Sequence, residues 1–94
     1  MSIKRISVIG IGKLGLCTAA CFSSKGYRVI GVDVNPNTIV AVNEGRSPIY
    51  EPGLAELIAK CQGYLSATDD YKYAIENSEV TFIVFLGSEI ITIT

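Results

Sequence analysis

Residues 10–15 read Gly10-Ile11-Gly12-Lys13-Leu14-Gly15, a G-x-G-x-x-G pattern near the start of a 94-residue chain. The segment just before it, Lys4 to Ile9, is mostly apolar and β-favouring, which predicts a short strand. Behind it, Lys13 to Lys25 carry apolar or small residues on most faces, which predicts a helix packed against a sheet. The pattern alone is weak evidence because glycine is common, and its position between a strand and a helix gives it weight.

Each glycine of the pattern has a physical reason in such a turn. Gly10 permits the tight turn out of the strand, Gly12 lets the backbone approach a pyrophosphate, and Gly15 allows close packing of helix on strand. The free N–H groups and the positive dipole end of the helix would then face two phosphates. A lysine opposes that dipole, so Lys13 either contacts the pyrophosphate or is a solvated side chain. The sequence leaves both open.

An acidic residue closes the second predicted strand, Tyr27 to Val34. Asp33 follows Gly15 by 18 positions, where the dinucleotide fingerprint has a carboxylate that binds the adenosine ribose. A carboxylate repels a 2′-phosphate and no arginine follows Asp33, so the sequence favours NAD over NADP. FAD proteins share the glycine pattern, which leaves the cofactor less determined than the site. Glycines that merely make a tight connection are the alternative.

Strands and helices alternate through most of the chain in the order β-α-β-α-α-β-α-β. This order predicts an α/β fold of the Rossmann type, with a partial parallel sheet of about four strands and helices on both faces. The fourth strand should lie beside the first with an unpaired edge, which predicts self-association through the exposed sheet edge. A helix is predicted to enter at Asn35-Pro36-Asn37 and to continue through Thr38 to Asn43. The further predicted elements are helices from Pro52 and from Asp69 or Asp70 to Asn77, and strands at Tyr64 to Thr68 and Glu79 to Leu86.

Composition argues against several classes of function. The net charge is −1, from 8 basic and 9 acidic residues, and the basic residues are scattered, which disfavours a nucleic-acid partner. No apolar run approaches the roughly 20 residues of a membrane span, so a cytoplasmic protein without a membrane partner is expected. Cys17, Cys21 and Cys61 fit neither a disulfide framework nor a metal site, and are expected to be small, mostly buried residues. Tyr71 and Tyr73 are expected to cover the sheet edge rather than stack on a base.

One longer segment is more specific than the glycines: Asn43-Glu44-Gly45-Arg46-Ser47-Pro48-Ile49-Tyr50-Glu51-Pro52-Gly53-Leu54. Together with the glycine pattern and Gly31 to Asn35, it resembles the UDP-glucose/GDP-mannose (nucleotide-sugar) dehydrogenase family over about Ile3 to Val84. The resemblance implies a partial NAD-binding Rossmann domain over residues 1–86 and a non-matching tail over 87–94. It also implies the cofactor-binding residues, which are Gly10, Gly12, Lys13, Leu14, Gly15 and Asp33.

The family consists of NAD-dependent oxidoreductases of polysaccharide biosynthesis, such as UDP-glucose 6-dehydrogenase. They oxidise the C6 alcohol of a nucleotide-bound sugar to a carboxylate, reducing two NAD in succession through a thiohemiacetal on a cysteine. Because their chains are several times longer, the resemblance implies that the catalytic cysteine, the lysine and the sugar-nucleotide pocket lie outside this chain. We therefore expect an N-terminal portion that binds NAD without turnover. A stand-alone, non-catalytic NAD-binding module and a fragment of another Rossmann dehydrogenase are the alternatives.

Two features depart from the family pattern. Five residues after Asp33 the family often has a lysine that reaches the cofactor, and Thr38 stands there instead, which weakens that contact. After the fourth strand the family has a Thr-Pro pair bordering the cofactor, whereas Ile90 to Thr94 match nothing. Their alternating β-branched residues predict an exposed edge strand. We interpret the tail as a truncation or frame shift of the coding sequence near Val84.

Overall fold

The computed structural model describes residues 3–85 and 89–93. Strands β1 to β4 run parallel, and the sheet order β3-β2-β1-β4-β5 places β4 beside β1, as predicted. The Rossmann-type α/β fold is therefore confirmed. In chain order the elements are β1 (Arg5–Ile9), α1 (Lys13–Ser24), β2 (Arg28–Val32), α2 (Pro36–Asn43), α3 (Leu54–Lys60), β3 (Leu65–Thr68), α4 (Tyr71–Glu76), β4 (Val80–Phe85) and β5 (Glu89–Ile93).

The central strand β1 packs differently on its two faces, because successive side chains of a strand point in opposite directions. Ile6 and Val8 are buried in the main hydrophobic core, which Leu16 of α1 also joins. The opposite face carries Ser7, a fully buried residue whose hydroxyl lies 2.7 Å from Thr81 Oγ1. The Ser7 hydroxyl also accepts a hydrogen bond from Ser78 Oγ at 2.9 Å, just after α4. Helices α1, α2 and α3 therefore cover one face, and α4 covers the other.

The prediction that β4 forms an unpaired edge is wrong, and within the described residues the sheet has five strands rather than about four. Strand β5 runs antiparallel to β4, with Ile91 opposite Ile83. The β-branched residues of the tail favour this extended pairing, and the edge strand expected there is confirmed as β5. The predicted end of the fourth strand at Leu86 and the proposed boundary at 86/87 lie outside the described residues.

Identifiable contacts set where two of the helices begin. Helix α2 begins at Pro36, within the predicted helix entry Asn35-Pro36-Asn37, because the side chain of Asn35 caps it by accepting a hydrogen bond from Asn37 N–H at 2.9 Å. Helix α3 begins at Leu54 rather than at Pro52. Gly53 has a φ of 82°, and this left-handed backbone conformation excludes it from the helix.

The three cysteines are free thiols, but they are not all buried. Cys61 is buried and Cys17 is half-buried, whereas Cys21 is exposed, so the expectation was wrong for Cys21. The buried side of α1 is formed by its small residues together with Leu16, and position 21 faces away from it. The helical pattern was predicted correctly, but small and apolar residues on nearly every face hid which face would meet the sheet.

Candidate dinucleotide-binding site

The turn between β1 and α1 requires glycine at two of its three glycine positions. Gly10 has a φ of 93°, and its N–H donates to Val32 O at 2.8 Å. A Cβ at Gly15 would lie 1.8 Å from the carbonyl oxygen of Gly10. Any larger residue at these positions meets the strain of a positive φ or the backbone of the chain itself.

Gly12 differs, because nothing in the described structure requires glycine there. Its φ is −71°, and a Cβ built on it would have no neighbour within 4 Å. Gly12 is also the N-cap of α1 and offers no side chain to the first turn. The first helical hydrogen bond runs from Leu16 N–H to Gly12 O at 2.8 Å. The N–H groups of Lys13, Leu14 and Gly15 therefore precede the ladder and lie at the positive helix end.

Asp33 lies directly after β2, at the carboxyl end of the sheet. Its N–H donates to Thr68 O at 3.1 Å, which ties the residue to the end of β3. Its side-chain Oδ1 accepts a hydrogen bond from Asn35 N–H at 2.9 Å. This local turn fixes the carboxylate beside the glycine turn rather than leaving it free in solvent.

An apolar cavity of about 460 Å³ connects the glycine turn with Asp33. It opens between the carboxyl ends of the strands and α4, where open α/β sheets bind ligands, and its size suits a small-molecule site. Asp33 and Asp69 supply its two carboxylates. The other lining residues are Ile9, Gly10, Val32, Val34, Tyr71, Ile75 and Ile83.

Sequence reasoning missed Tyr71 and Ile75 as site residues. Tyr71 was expected to cover the sheet edge, but it lines the cavity, whereas Tyr73 lines a different one. The available signal was the spacing of Tyr71 and Ile75, which places both on one face of a helix. That helix begins after Asp70, whose carboxylate caps it by accepting from Tyr73 N–H at 3.0 Å.

A second cavity of about 400 Å³ lies at the amino ends of β1 and β2, but its charged groups are already engaged. Arg28 donates to Gly63 O at 3.1 Å and lies over the ring of Tyr64. Arg5 pairs with Glu79, with 3.4 Å between Arg5 Nε and Glu79 Oε1. Because each guanidinium group already contacts an acceptor of the chain itself, this cavity is the weaker candidate for an anionic ligand.

Lys13 is held by a residue from a distant part of the chain. Its Nζ lies 3.3 Å from Oε2 of Glu51, in the loop before α3. Lys13 and Glu51 are 38 positions apart in sequence, and no local sequence pattern predicts that they pair. Thr38, where the family often has lysine, lies half-buried in the first turn of α2.

Two further findings apply to residues 3–85 and 89–93. Within them, no group of three or more potential ligand side chains is arranged to hold a metal ion. No helix there has the length and hydropathy needed to cross a bilayer.

A mostly parallel sheet, a glycine turn leading into an uncapped helix, and a carboxylate after the second strand together define a dinucleotide-binding domain. Residues 4–86 match the model of the UDP-glucose/GDP-mannose dehydrogenase family, NAD binding domain. The chain belongs to this family, as its NAD binding domain, and NAD is its cofactor. The predictions of the family and of NAD are confirmed.

Relatives of known activity agree with this assignment. The chain is 47% identical over 81 residues to the GDP-mannose 6-dehydrogenase of Pseudomonas aeruginosa, covering 84% of this chain and 19% of that protein. It is 40% identical over 79 residues to the UDP-glucose 6-dehydrogenase AglM of Haloferax volcanii, covering 83% of this chain and 18% of that protein. The chain thus spans about a fifth of the length of these relatives.

Solved structures show the same relation. A ternary complex of GDP-mannose dehydrogenase from Pseudomonas aeruginosa superposes with a TM-score of 0.82 at 40% identity, covering 93% of this chain and 22% of that one. A UDP-glucose dehydrogenase from the archaeon Pyrobaculum islandicum gives a TM-score of 0.82 at 36% identity, covering 88% of this chain and 20% of that one. The second alternative, a fragment of a different Rossmann dehydrogenase, is therefore discarded.

Proposed function

We propose that the glycine turn and Asp33 hold the ADP half of NAD. The pyrophosphate would lie over Gly12, where the N–H groups of Lys13, Leu14 and Gly15 point out of the helix end. Gly10 keeps the turn tight enough to leave that space. The residues of this proposed site are Gly10, Gly12, Lys13, Leu14, Gly15 and Asp33.

The adenosine would occupy the cavity of about 460 Å³ beside the turn. Asp33 would accept hydrogen bonds from the ribose hydroxyls, since its carboxylate is held at the cavity by the bond from Asn35 N–H. The apolar side chains of Val34 and Ile75 would flank the base, and the exposed ring of Tyr71 offers a stacking surface. The same carboxylate would repel the 2′-phosphate of NADP.

The single observation that carries the proposal is the open space at Gly12. Glycine at positions 10 and 15 is explained by the fold, so those two residues do not distinguish a binding turn from a merely tight one. A Cβ at Gly12 would meet no atom of the described chain within 4 Å. Close approach of a ligand to the backbone gives a physical reason for glycine there.

We further propose that residues 1–86 serve as the N-terminal NAD-binding part of a dehydrogenase that oxidises the C6 alcohol of a nucleotide sugar to a carboxylate. NAD supplies the hydride acceptor when bound, and this chain's residues bind and orient its ADP half. The catalytic cysteine and the sugar-nucleotide pocket would belong to the rest of such an enzyme.

A cytoplasmic location belongs to the same proposal. Its support is chemical: Cys17, Cys21 and Cys61 are all free thiols, as is usual in a reducing compartment.

Self-association is proposed at β5, with a second copy of the chain as the partner. Strand β5 is the last strand of the sheet, and Ile91 on it is exposed. An edge strand without lysine or proline readily pairs with another chain. We expect sedimentation velocity to show concentration-dependent dimers that Ile91→Lys abolishes, with Val40→Lys on α2 as the control. A wild-type protein that stays monomeric at every concentration contradicts this proposal.

The proposed cofactor site is tested by calorimetric titration with NAD and NADP. We expect NAD to bind at least about 10-fold more tightly than NADP, a difference of about 1.4 kcal/mol. Asp33→Ala should weaken NAD binding and remove the preference. Asp69→Asn, which neutralises the other carboxylate of the cavity, should keep the preference for NAD over NADP. Absence of NAD binding at millimolar concentration would refute the site, and equal affinity for NADP would refute the role of Asp33.

A further inference from the structure

The segment from Asn43 to Leu54 is specific in sequence, and most of it is explained by folding. The Asn43 side chain hydrogen-bonds both backbone groups of Ala67: its Nδ2 donates to Ala67 O at 2.9 Å and its Oδ1 accepts from Ala67 N–H at 2.8 Å. Ser47 forms a local turn with Ile49, with 2.6 Å between Ser47 Oγ and Ile49 O. The Glu51 side chain has no such partner within residues 43–54. It points instead toward Lys13 in the glycine turn.

Glu51 is aimed at α1 by a fixed backbone. Its carbonyl oxygen accepts from Leu54 N–H at 3.0 Å, and Pro52 restricts the chain that follows. Leu54 is buried in the core, so this end of α3 is anchored. The carboxylate therefore reaches Lys13 from a rigid base, with 3.3 Å between Oε2 and Nζ.

The carboxylate also lies along the face of α1 that carries positions 13 and 17. Burial, and next the Glu51 carboxylate, raise the pKa of the Cys17 thiol, while Lys13 lowers it. Lys13 and Cys17 are four residues apart and share one face of the helix. Glu51 thus stands beside the first turn of α1, next to the proposed pyrophosphate position.

We propose that Glu51 is a positioning residue that competes with the cofactor's pyrophosphate for Lys13. The inference rests on the proposed function, because it needs a pyrophosphate at the start of α1. Without cofactor, Glu51 holds the ammonium group on the side of the helix. With cofactor, the long flexible stem of Lys13 swings the ammonium group to the phosphates. This answers the question that the sequence left open about Lys13.

The exposure of the pair sets the size of the effect. The Lys13 side chain is 73% exposed and that of Glu51 is 34% exposed, so water screens their attraction. Exposed ion pairs are weak, which limits the competition to about two- to five-fold in cofactor affinity. A doubly charged pyrophosphate backed by the helix N-terminus outcompetes a single carboxylate.

The test measures dissociation constants for NAD, ADP and adenosine. We expect Glu51→Gln to lower the Kd of NAD and ADP by about two- to five-fold and to leave that of adenosine, which has no phosphate, unchanged. In a Lys13→Met background the same substitution should change nothing. Glu44→Gln removes an equal charge that pairs with Arg46 and serves as the matched control, with no expected effect.

The outcomes separate this inference from the proposed function. An unchanged or raised Kd for NAD in Glu51→Gln overturns the competition while leaving the cofactor site intact. An equal gain in affinity in the Lys13→Met background overturns the competition as well, because the Glu51 carboxylate would then act on the phosphates by direct electrostatic repulsion and not through Lys13. If the wild-type chain binds neither NAD nor ADP, the proposed function fails and the inference fails with it.

Discussion

The two ends of the parallel sheet use their charged groups in opposite ways. At the amino end, one Glu79 oxygen accepts hydrogen bonds from the backbone N–H groups of Lys4 at 3.1 Å and Arg5 at 2.7 Å. Its other oxygen lies 3.4 Å from Arg5 Nε. Nearby, Arg28 is occupied by Gly63 O and the Tyr64 ring. These charged groups therefore contact one another and the backbone of the chain itself.

At the carboxyl end, the chain leaves donors and space open. Helix α1 starts at an N-cap without a side chain, no atom of residues 3–85 and 89–93 fills the space above Gly12, and the Asp33 carboxylate stands at an apolar cavity. The amino end of the sheet therefore contributes to stability and the carboxyl end to binding. Changes at the amino end should alter only the free energy of unfolding, whereas changes at the carboxyl end should alter NAD binding. The exception is Gly15, where the backbone of the turn leaves no room for a side chain, so a change there should alter both.

Gly15→Ala tests that exception and should have the largest effect. The added Cβ would lie 1.8 Å from the backbone oxygen of Gly10, so α1 must move away from β1. We expect the free energy of unfolding to fall by about 3 kcal/mol and NAD binding to be lost with the geometry of the turn. Urea unfolding monitored by circular dichroism measures the first quantity. A midpoint equal to that of the wild type would show that the close approach is not real.

Gly12→Ala should give the opposite result three residues away. Its Cβ meets no atom of the described part of the chain within 4 Å, so the free energy of unfolding should stay within ~0.5 kcal/mol of the wild type. The Kd for NAD should rise at least about 10-fold, because the methyl group occupies the space of the pyrophosphate. Unfolding and titration of the same preparation check both. If affinity is retained, the ligand does not approach the backbone at Gly12.

The carboxyl end was largely predictable because its signals are local. The turn, the strand before it and Asp33 lie within about thirty residues, and positive φ, close packing and an open N-cap all follow from neighbouring positions. The sequence assigned Gly10 to the turn, Gly12 to the approach of a ligand and Gly15 to packing, and the positive φ of Gly10 and the close contact at Gly15 agree with the two folding roles. It did not show that the Val84 carbonyl of β4 also closes on Gly10, 2.9 Å from a Cβ there.

The rest depends on contacts between distant segments, which periodicity does not encode. Ser7 looks like an ordinary polar residue in a strand, yet it is fully buried because Thr81 and Ser78 supply its partners. The pairing of Lys13 with Glu51 depends on how α3 docks on α1. The tail showed strand propensity and β4 was expected to have a free edge, but nothing in the sequence predicted that the tail would return antiparallel onto that edge.

Glu79→Gln should have the smallest effect, confined to stability and dependent on pH. The backbone N–H groups of Arg5 and Lys4 and the Arg5 guanidinium lower the pKa of Glu79 below its ordinary 4.5. A carboxyl group with a lowered folded-state pKa stabilises the fold above its unfolded-state pKa, and this contribution disappears as pH falls through the folded-state value. The wild type should therefore exceed Glu79→Gln in stability at neutral pH, and the two should converge in acid.

The matched control for this last experiment is Glu76→Gln, which neutralises an exposed carboxylate on α4. Urea midpoints of the three proteins between pH 7 and pH 3 give the comparison, with NAD affinity measured at neutral pH. Glu79→Gln should bind NAD as the wild type does, because Glu79 lies at the other end of the sheet from Asp33. A loss of affinity in Glu79→Gln without a loss in Glu76→Gln would mean that the amino end also supports binding. A stability gap that does not narrow as the pH falls would mean that Glu79 acts through packing rather than through its charge.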